Sequence, residues 1–224
     1  MHASELAVLV LAAGAGSRFA AARRSAASTG GVRGAGASPV KLLALLDGRP
    51  ILDHVLERAA ALGPATTIVV LGQGSGAEAL EERIAWRDER RLRNPRADLG
   101  LAGSLRIGLA ALADPEHATV QAALIMLGDQ PRVSVAVMRR LLVEAEAAPG
   151  RAFVAPRYAA GGGSNPLLVR REAWSLAAAL EGDRGFGPLL AARPEVVRFV
   201  DVPGDNPDVD TPADVAALAA PGRA

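Results

Sequence analysis

The chain has 224 residues, with 25 basic against 24 acidic side chains, no cysteine and only 3% aromatic residues. So even a balance with so few rings argues against a general nucleic-acid or membrane surface and against base-stacking platforms for single strands. The lack of cysteine excludes thiol catalysis, Cys-ligated zinc and a disulfide framework. A chain of this length buries roughly 70% of its unfolded surface without such staples, and one domain over residues 1–224 is expected.

Apolar runs alternate with helical patterns, the signature of a mostly parallel sheet covered by helices. No run approaches the roughly 20 apolar residues that a membrane span needs. Met1-His2-Ala3-Ser4-Glu5 lacks a basic stretch ahead of the first apolar run, so no secretory signal is expected and the cytoplasm is the expected compartment. Leu6–Leu11 reads as a buried first strand. From about Ala20 to Pro39 the chain is nearly all Ala, Gly, Ser and Arg without apolar periodicity. It reads as a mobile loop, either a lid over a site or a surface insertion.

Ile51–Leu62 reads as a helix with Ile51, Leu52, Val55, Leu56, Ala59 and Leu62 on one face, ended by Gly63-Pro64. Thr67–Leu71 is a second strand, followed by a glycine-rich turn and a polar helix reaching about Trp86. Leu92 falls in a short strand before Asn94-Pro95, within a basic run, Arg90, Arg91 and Arg93, that reads as a solvated face. Ser104–Ala113 is helical and Ala122–Leu127 is a central strand ending at Gly128-Asp129-Gln130-Pro131. Ser134 caps a helix running to about Ala148. Ala152–Ala155 and Leu167–Val169 are strands flanking a loop, Tyr158–Pro166. Arg171–Leu180 is helical, Val196–Val200 a strand and Thr211–Leu218 a final helix. His54 and His117 read as structural or solvated.

Three places carry chemistry. The first is the turn Gly14-Ala15-Gly16-Ser17-Arg18, followed at a distance by Lys41, the only lysine among the 25 basic residues. Small residues let a phosphate approach backbone N–H groups, and Arg18 and Lys41 supply charge, so the turn suits a triphosphate. The alternative is a tight strand-to-helix turn that needs glycine for its dihedrals. A dinucleotide fingerprint fits less well. Phe19 stands where the third glycine should be, and no acid lies between Glu5 and Asp47 to hold a ribose.

The second place is Asp129, at the carboxyl end of a central strand, where open α/β sheets bind ligands. A carboxylate facing phosphates there suits Mg²⁺; the competing reading is a turn residue capping the backbone before Pro131. The third is Asp208-Val209-Asp210-Thr211-Pro212-Ala213-Asp214. Thr211, Pro212 and Asp214 fit a helix start as N-cap, N1 proline and N3 acid, which leaves Asp210 free for a second metal contact. In an extended segment Asp208 and Asp210 point the same way.

In order along the chain stand Leu11-Ala-Ala-Gly-Ala-Gly-Ser-Arg18, Lys41-Leu42-Leu43, Asp47-Gly48-Arg49-Pro50, Gly100 with Ser104-Leu105-Arg106, Gly128-Asp-Gln-Pro131, Gly163-Ser-Asn-Pro166, Gly182-Asp183 and Asp208-Val-Asp-Thr-Pro212. This series resembles the nucleotidyltransferases related to molybdenum cofactor cytidylyltransferase. The resemblance implies a three-layer α/β/α, Rossmann-like (GT-A-like) fold with a mostly parallel mixed sheet. It also implies transfer of a nucleotidyl group from an NTP with Mg²⁺ and release of pyrophosphate.

Carried over, Ala12, Ala13, Gly14 and Gly16 would line the nucleotide and phosphate site, and Gly100 and Ser104 the base and ribose. Arg18 and Lys41 would hold the triphosphate, Asp129 and Asp210 the metal. Ala13, where guanylyl members tend to carry glycine, favours CTP. The implied acceptor is a phosphate-bearing small molecule such as molybdopterin, and a molybdoenzyme or its maturation machinery is the implied partner. Two departures stand out: the long stretch between Arg18 and Lys41, and Asn165 where the family often has His before Pro166.

Overall fold

The computed structural model describes residues 2–14, 16–28 and 40–219. Its axis is β1 (Leu6–Ala12), seven consecutive apolar residues, all buried. A strand of that pattern is stable only when both faces are covered. Then follow α1 (Ser17–Ser28), a small hairpin of β2 (Leu45–Leu46) and β3 (Arg49–Pro50), α2 (Ile51–Ala60), β4 (Thr66–Leu71), α3 (Ser75–Arg83) and β5 (Arg90–Arg93). The second half comprises α4 (Leu101–Ala113), β6 (Ala122–Leu127), α5 (Val135–Ala147), β7 (Phe153–Tyr158), β8 (Leu167–Arg170), a 3-10 helix (Arg171–Ala179), α6 (Gly187–Ala192), β9 (Val197–Val202) and α7 (Pro212–Ala219).

Seven strands form one sheet in the order β5-β4-β1-β6-β8-β7-β9. Only β8 runs against its neighbours β6 and β7; the other pairings are parallel. Alternate residues of β1 feed two separate cores. Leu6, Val8 and Val10 pack with α2, α3, α5 and α7, whereas Ala7, Leu9 and Leu11 pack with α4, the 3-10 helix and α6. The result is the expected three-layer α/β/α arrangement with a mixed, mostly parallel sheet. Chain order reverses beside β1, with β4 on one side and β6 on the other. The carboxyl ends of β1 and β6 therefore border the crevice where such sheets take ligands. Among the described residues, no helix is long and apolar enough to cross a membrane.

Most elements stand where the sequence places them, within a few residues. Ser134 caps α5, its side chain accepting from Val137 N. The run Arg90, Arg91 and Arg93 is an edge strand whose guanidinium groups pair with Glu116 and Glu81, charges that discourage edge-to-edge pairing. His54 Nε2 lies 2.8 Å from the Leu46 carbonyl and ties α2 to the hairpin.

One expectation is corrected: Ala20–Ser28, read as unstructured, is helical as part of α1. Alanine has the highest intrinsic helix propensity and needs no apolar stripe, and Phe19, 2% exposed, anchors the first turn in the core. The remainder of that stretch, 29–39, lies outside the described residues, and the lid reading with it. Smaller differences have similar local causes. α2 ends at Ala60, two residues early, where the chain turns towards Gly63. α4 begins at Leu101, before the expected Ser104, because Gly103 in its first turn masks the helical pattern.

Contact between α4 and β1 is close enough to forbid a side chain at Gly108, where a Cβ would come 2.3 Å from Leu9 Cδ1 and 3.1 Å from its Cγ. Leu9 has no exposed surface and cannot step aside. Gly108→Val is therefore expected to lower the unfolding free energy by about 1–3 kcal/mol, measured by denaturant titration. An unchanged midpoint would mean that α4 stands further from the sheet.

Candidate active site

The site is built from three chain segments that the fold brings to the carboxyl ends of β1 and β6. Beyond Ala12 the chain reverses into α1 through Gly14 and Gly16. Gly16 has φ +59°, and a Cβ on it would lie 3.2 Å from Lys41 Cβ. Glycine is needed there for conformation and for space. The gap lets the 3-10 turn Lys41–Leu43 settle against the loop, with Leu42 and Leu43 buried as its anchors. Lys41 Nζ then donates to Asp129 Oδ2 at 2.6 Å and reaches Asp210 Oδ1 at 3.5 Å. Arg18, whose side chain is 77% exposed, donates through Nη1 to Asp210 Oδ2 at 2.6 Å.

Val209 explains how Asp129 meets residues some 80 positions away. Its side chain is fully buried and its N–H donates to the Asp129 carbonyl at 2.9 Å. With Val209 pinned inward, Asp208 and Asp210 both turn into the cleft, as alternation predicts. Gln130 fixes the arrangement, donating to Asp208 Oδ1 at 2.7 Å while exchanging hydrogen bonds with Asn206. Burial, then the neighbouring Asp129 charge, raise the Asp208 pKa, against the pull of the Gln130 hydrogen bond and Lys41. Below Asp210, Thr211 and Asp214 form the expected reciprocal cap of α7. Asp214 Oδ2 accepts from Thr211 N at 2.7 Å and from Asp210 N at 2.9 Å, and Asp214 N donates to Thr211 Oγ1 at 3.3 Å.

All ten residues singled out from the sequence line one cleft of about 490 Å³: Ala12, Ala13, Gly14, Gly16, Arg18, Lys41, Gly100, Ser104, Asp129 and Asp210. Ser104 is nearly buried, and its hydroxyl accepts from Asn94 Nδ2 at 3.0 Å. Five aspartates, Asp98, Asp129, Asp183, Asp208 and Asp210, face the cleft against Lys41 and Arg18, a net charge of −3 among the described lining residues. Asp129 Oδ1 is buried without a hydrogen-bond partner among them. An orphaned carboxylate oxygen in an acidic cleft fits a cation, since a buried acceptor left unpaired is costly. Among the described residues, no three His, Cys, Asp or Glu side chains are placed to hold a metal ion by themselves.

A second cavity of about 290 Å³ adjoins the first, sharing Leu11, Leu101 and Leu127. Its walls are mostly apolar, Leu105, Ile125 and Phe186 among them, with Ser164, Asn165 and Arg184 as the polar groups. Tyr158 holds the Asn165 carbonyl at 3.1 Å. Burial pushes that phenol up to about 12, so it stays a donor. Sequence reading names Gln130 and Asn94 only within short motifs and gives Asn206 no role; Gln130 and Asn206 pair across 76 residues, and Asn94 pairs with Ser104 on α4. It met Gly182-Asp183 only as a motif. Asp208 was signalled by its alternation with Asp210.

The MobA-like NTP transferase domain model matches residues 8–197. The chain belongs to that family. That membership sets aside a nicotinamide-dependent oxidoreductase on a related sheet. Rv0371c of Mycobacterium tuberculosis, a solved structure, is 28% identical, with 98% of this chain and 99% of that chain covered and a TM-score of 0.74. Its manganese complex aligns at a TM-score of 0.71. The Methanothermobacter nucleotidyl transferase Mth528 is also 28% identical, with 96% of both chains covered and a TM-score of 0.72. Among curated proteins, the bifunctional protein GlmU of Burkholderia thailandensis is 34% identical over 134 residues, 60% of this chain and 24% of that protein. The chain thus spans about a quarter of the length of the curated relatives it matches.

The α7 cap supports Asp210 and titrates. Burial alone would raise the Asp214 pKa, but hydrogen bonds from Asp210 and Thr211, with the Lys41 charge, hold it below the usual aspartate value. Its stabilisation is therefore present above the unfolded-state pKa of about 3.9 and is lost as pH falls through the lowered folded value. Asp214→Ala should cost about 1 kcal/mol at neutral pH, with the two proteins converging in acid. Denaturant melts across pH check this, and a gap independent of pH would show that ionisation of Asp214 contributes nothing.

Proposed function

We propose that the protein transfers a nucleotidyl group, CMP from CTP being the favoured donor, to a phosphate-bearing small molecule with release of pyrophosphate. The observation that carries this reading is the charge of the cleft. A triphosphate meets a glycine turn with Lys41 and Arg18 at one end, inside a lining whose net charge is −3 among the described residues. Such a cleft repels a bare polyanion and accepts one neutralised by a divalent cation. Asp129 and Asp210 would hold that cation, Mg²⁺ in this reading, and it would neutralise the triphosphate and the departing pyrophosphate.

An oxygen of the acceptor phosphate attacks the α-phosphorus in line. The new P–O bond forms as the bond to the oxygen bridging the α- and β-phosphates breaks, and that electron pair leaves with pyrophosphate. A phosphate nucleophile is already anionic at neutral pH, so no general base is needed. Positioning and charge stabilisation then carry the rate. Arg18 is exposed and free to leave Asp210 for a phosphate oxygen, while Lys41, 11% exposed, is held in place beneath the glycine turn. Ala12, Ala13, Gly14 and Gly16 line the nucleotide, and Gly100 and Ser104 form the wall assigned to base and ribose. The second cavity, with Arg184 in its wall, takes the acceptor. Molybdopterin is the candidate that the family resemblance supplies, with a molybdoenzyme or its maturation machinery downstream. Ala13 in place of a second glycine supports cytosine over guanine.

Thermal shift with CTP, GTP, ATP and UTP, each with and without Mg²⁺ or Mn²⁺, tests the donor. CTP with the metal should stabilise the protein most, and CTP alone little; equal stabilisation without metal would defeat the charge argument. In a pyrophosphate-release assay over candidate acceptors including molybdopterin, Lys41→Ala should lower kcat on the order of 10²–10³. Lys41→Arg should also be damaging, because a planar guanidinium does not fit a site shaped around a compact ammonium. Near-normal turnover of Lys41→Arg would remove the special role of this lysine.

A further inference from the structure

A helix leaves its first N–H groups without partners inside the helix, and the residue at the N-cap usually supplies one. In α4 that residue is Gly100, which has no side chain to offer. The caps come instead from a turn some 80 residues later. Leu101 N–H donates to Asp183 Oδ1 at 3.1 Å and Ala102 N–H to the Gly182 carbonyl at 3.0 Å. The two chain segments touch so closely that a Cβ on Gly100, where φ is +96°, would lie 2.5 Å from the Gly182 carbonyl carbon and 2.7 Å from Asp183 Oδ1. The same turn also lines the second cavity. A Cβ on Gly185 would come 3.1 Å from Leu101 Cδ2, and Arg184 and Phe186 face that cavity.

We propose that Asp183 is a positioning residue for the nucleotide. By capping α4 from outside the helix, its carboxylate fixes the Gly100–Ser104 wall of the cleft and, through Leu101, the partition shared with the second cavity. Asp183 and the Gly182 carbonyl also occupy the Leu101 and Ala102 N–H groups that would otherwise attract phosphate, which leaves the glycine turn beside Lys41 as the triphosphate's place. Without the cap the first turn of α4 frays, and the wall opposite the nucleotide loses its fixed distance from β1. The proposal rests on the nucleotide reading given above. It adds a specific, removable contact on which affinity depends.

Calorimetric titration of CTP with Mg²⁺ into the full-length protein, its Asp183→Ala variant and its Asp183→Asn variant tests it, well below the melting transition of each. Asn keeps the oxygen that accepts from Leu101 N–H, whereas Ala removes it. Asp183→Ala should bind about tenfold more weakly and Asp183→Asn within about threefold of the parent. Hydrogen exchange of the Leu101 and Ala102 amides, measured without nucleotide, should quicken in Asp183→Ala alone. Unchanged binding by Asp183→Ala overturns the proposal, as does Asp183→Asn behaving like Asp183→Ala, since charge would then matter and not the accepted hydrogen bond. If the parent protein binds none of the four nucleoside triphosphates, the nucleotide reading itself falls. The exchange data then still decide whether Asp183 caps α4.

Discussion

Three carboxylates, Asp129, Asp208 and Asp210, share the end of one sheet with a single ammonium group, and the geometry around them is arranged to keep that balance. A cluster of like charges in a half-buried crevice is unfavourable unless something compensates each member. Lys41 serves Asp129 and reaches Asp210, Arg18 serves the outer face of Asp210, and Gln130 holds Asp208. The compensation is incomplete, because Asp129 Oδ1 has no partner among the described residues. This residual deficit is what gives a cation reason to enter. In the proposed reaction the cluster would meet two demands: enough neutralisation for the chain to fold, and enough remaining negative charge to take a cation with the nucleotide.

That balance constrains residues with no chemistry of their own. Gly16 must lack a side chain so that Lys41 can lie against the loop, and Val209 must be buried so that its two neighbours point outward together. Leu42 and Leu43 spend their side chains on the core to aim the residue before them. On the other side of the cleft Gly100 gives up a cap of its own so that the 182–183 turn can press against it. The chemistry is carried by a few charged atoms, while their placement is set by glycine and aliphatic residues around them.

Much of this was legible in the sequence, for identifiable reasons. Strands covered on both faces read as unbroken apolar runs, so β1 and β6 were plain, and with them the place where Asp129 stands. The Thr211-Pro212-Ala213-Asp214 cap is local chemistry and was read as such, which left Asp210 conspicuous. The gathering of Lys41 with Asp129 and Asp210 was read only through the ordered set of motifs, because nothing local dictates it. α1 was misread because an alanine-rich helix carries no periodic signal; its stability comes from propensity and from one buried phenylalanine. The role of Asn94 was hidden because its partner Ser104 lies on the next helix, and those of Gln130 and Asn206 because each is defined by a partner 76 residues away. The cap on α4 was hidden for the same reason, since Gly100 looks like an ordinary turn glycine until residue 183 is placed beside it.

The hydrogen bond from Val209 to the Asp129 carbonyl joins segments roughly 80 residues apart, and such non-local closures form only after the intervening chain has been threaded into place. During synthesis β1, the glycine turn, Lys41 and Asp129, just past β6, emerge well before Asp208 and Asp210. A growing chain thus holds Lys41 and Asp129 before the two carboxylates that complete the cluster have been added. A chain synthesised only as far as residue 207 lacks two of the three carboxylates, so the charge balance of the cluster is completed only when Asp208 and Asp210 have been added.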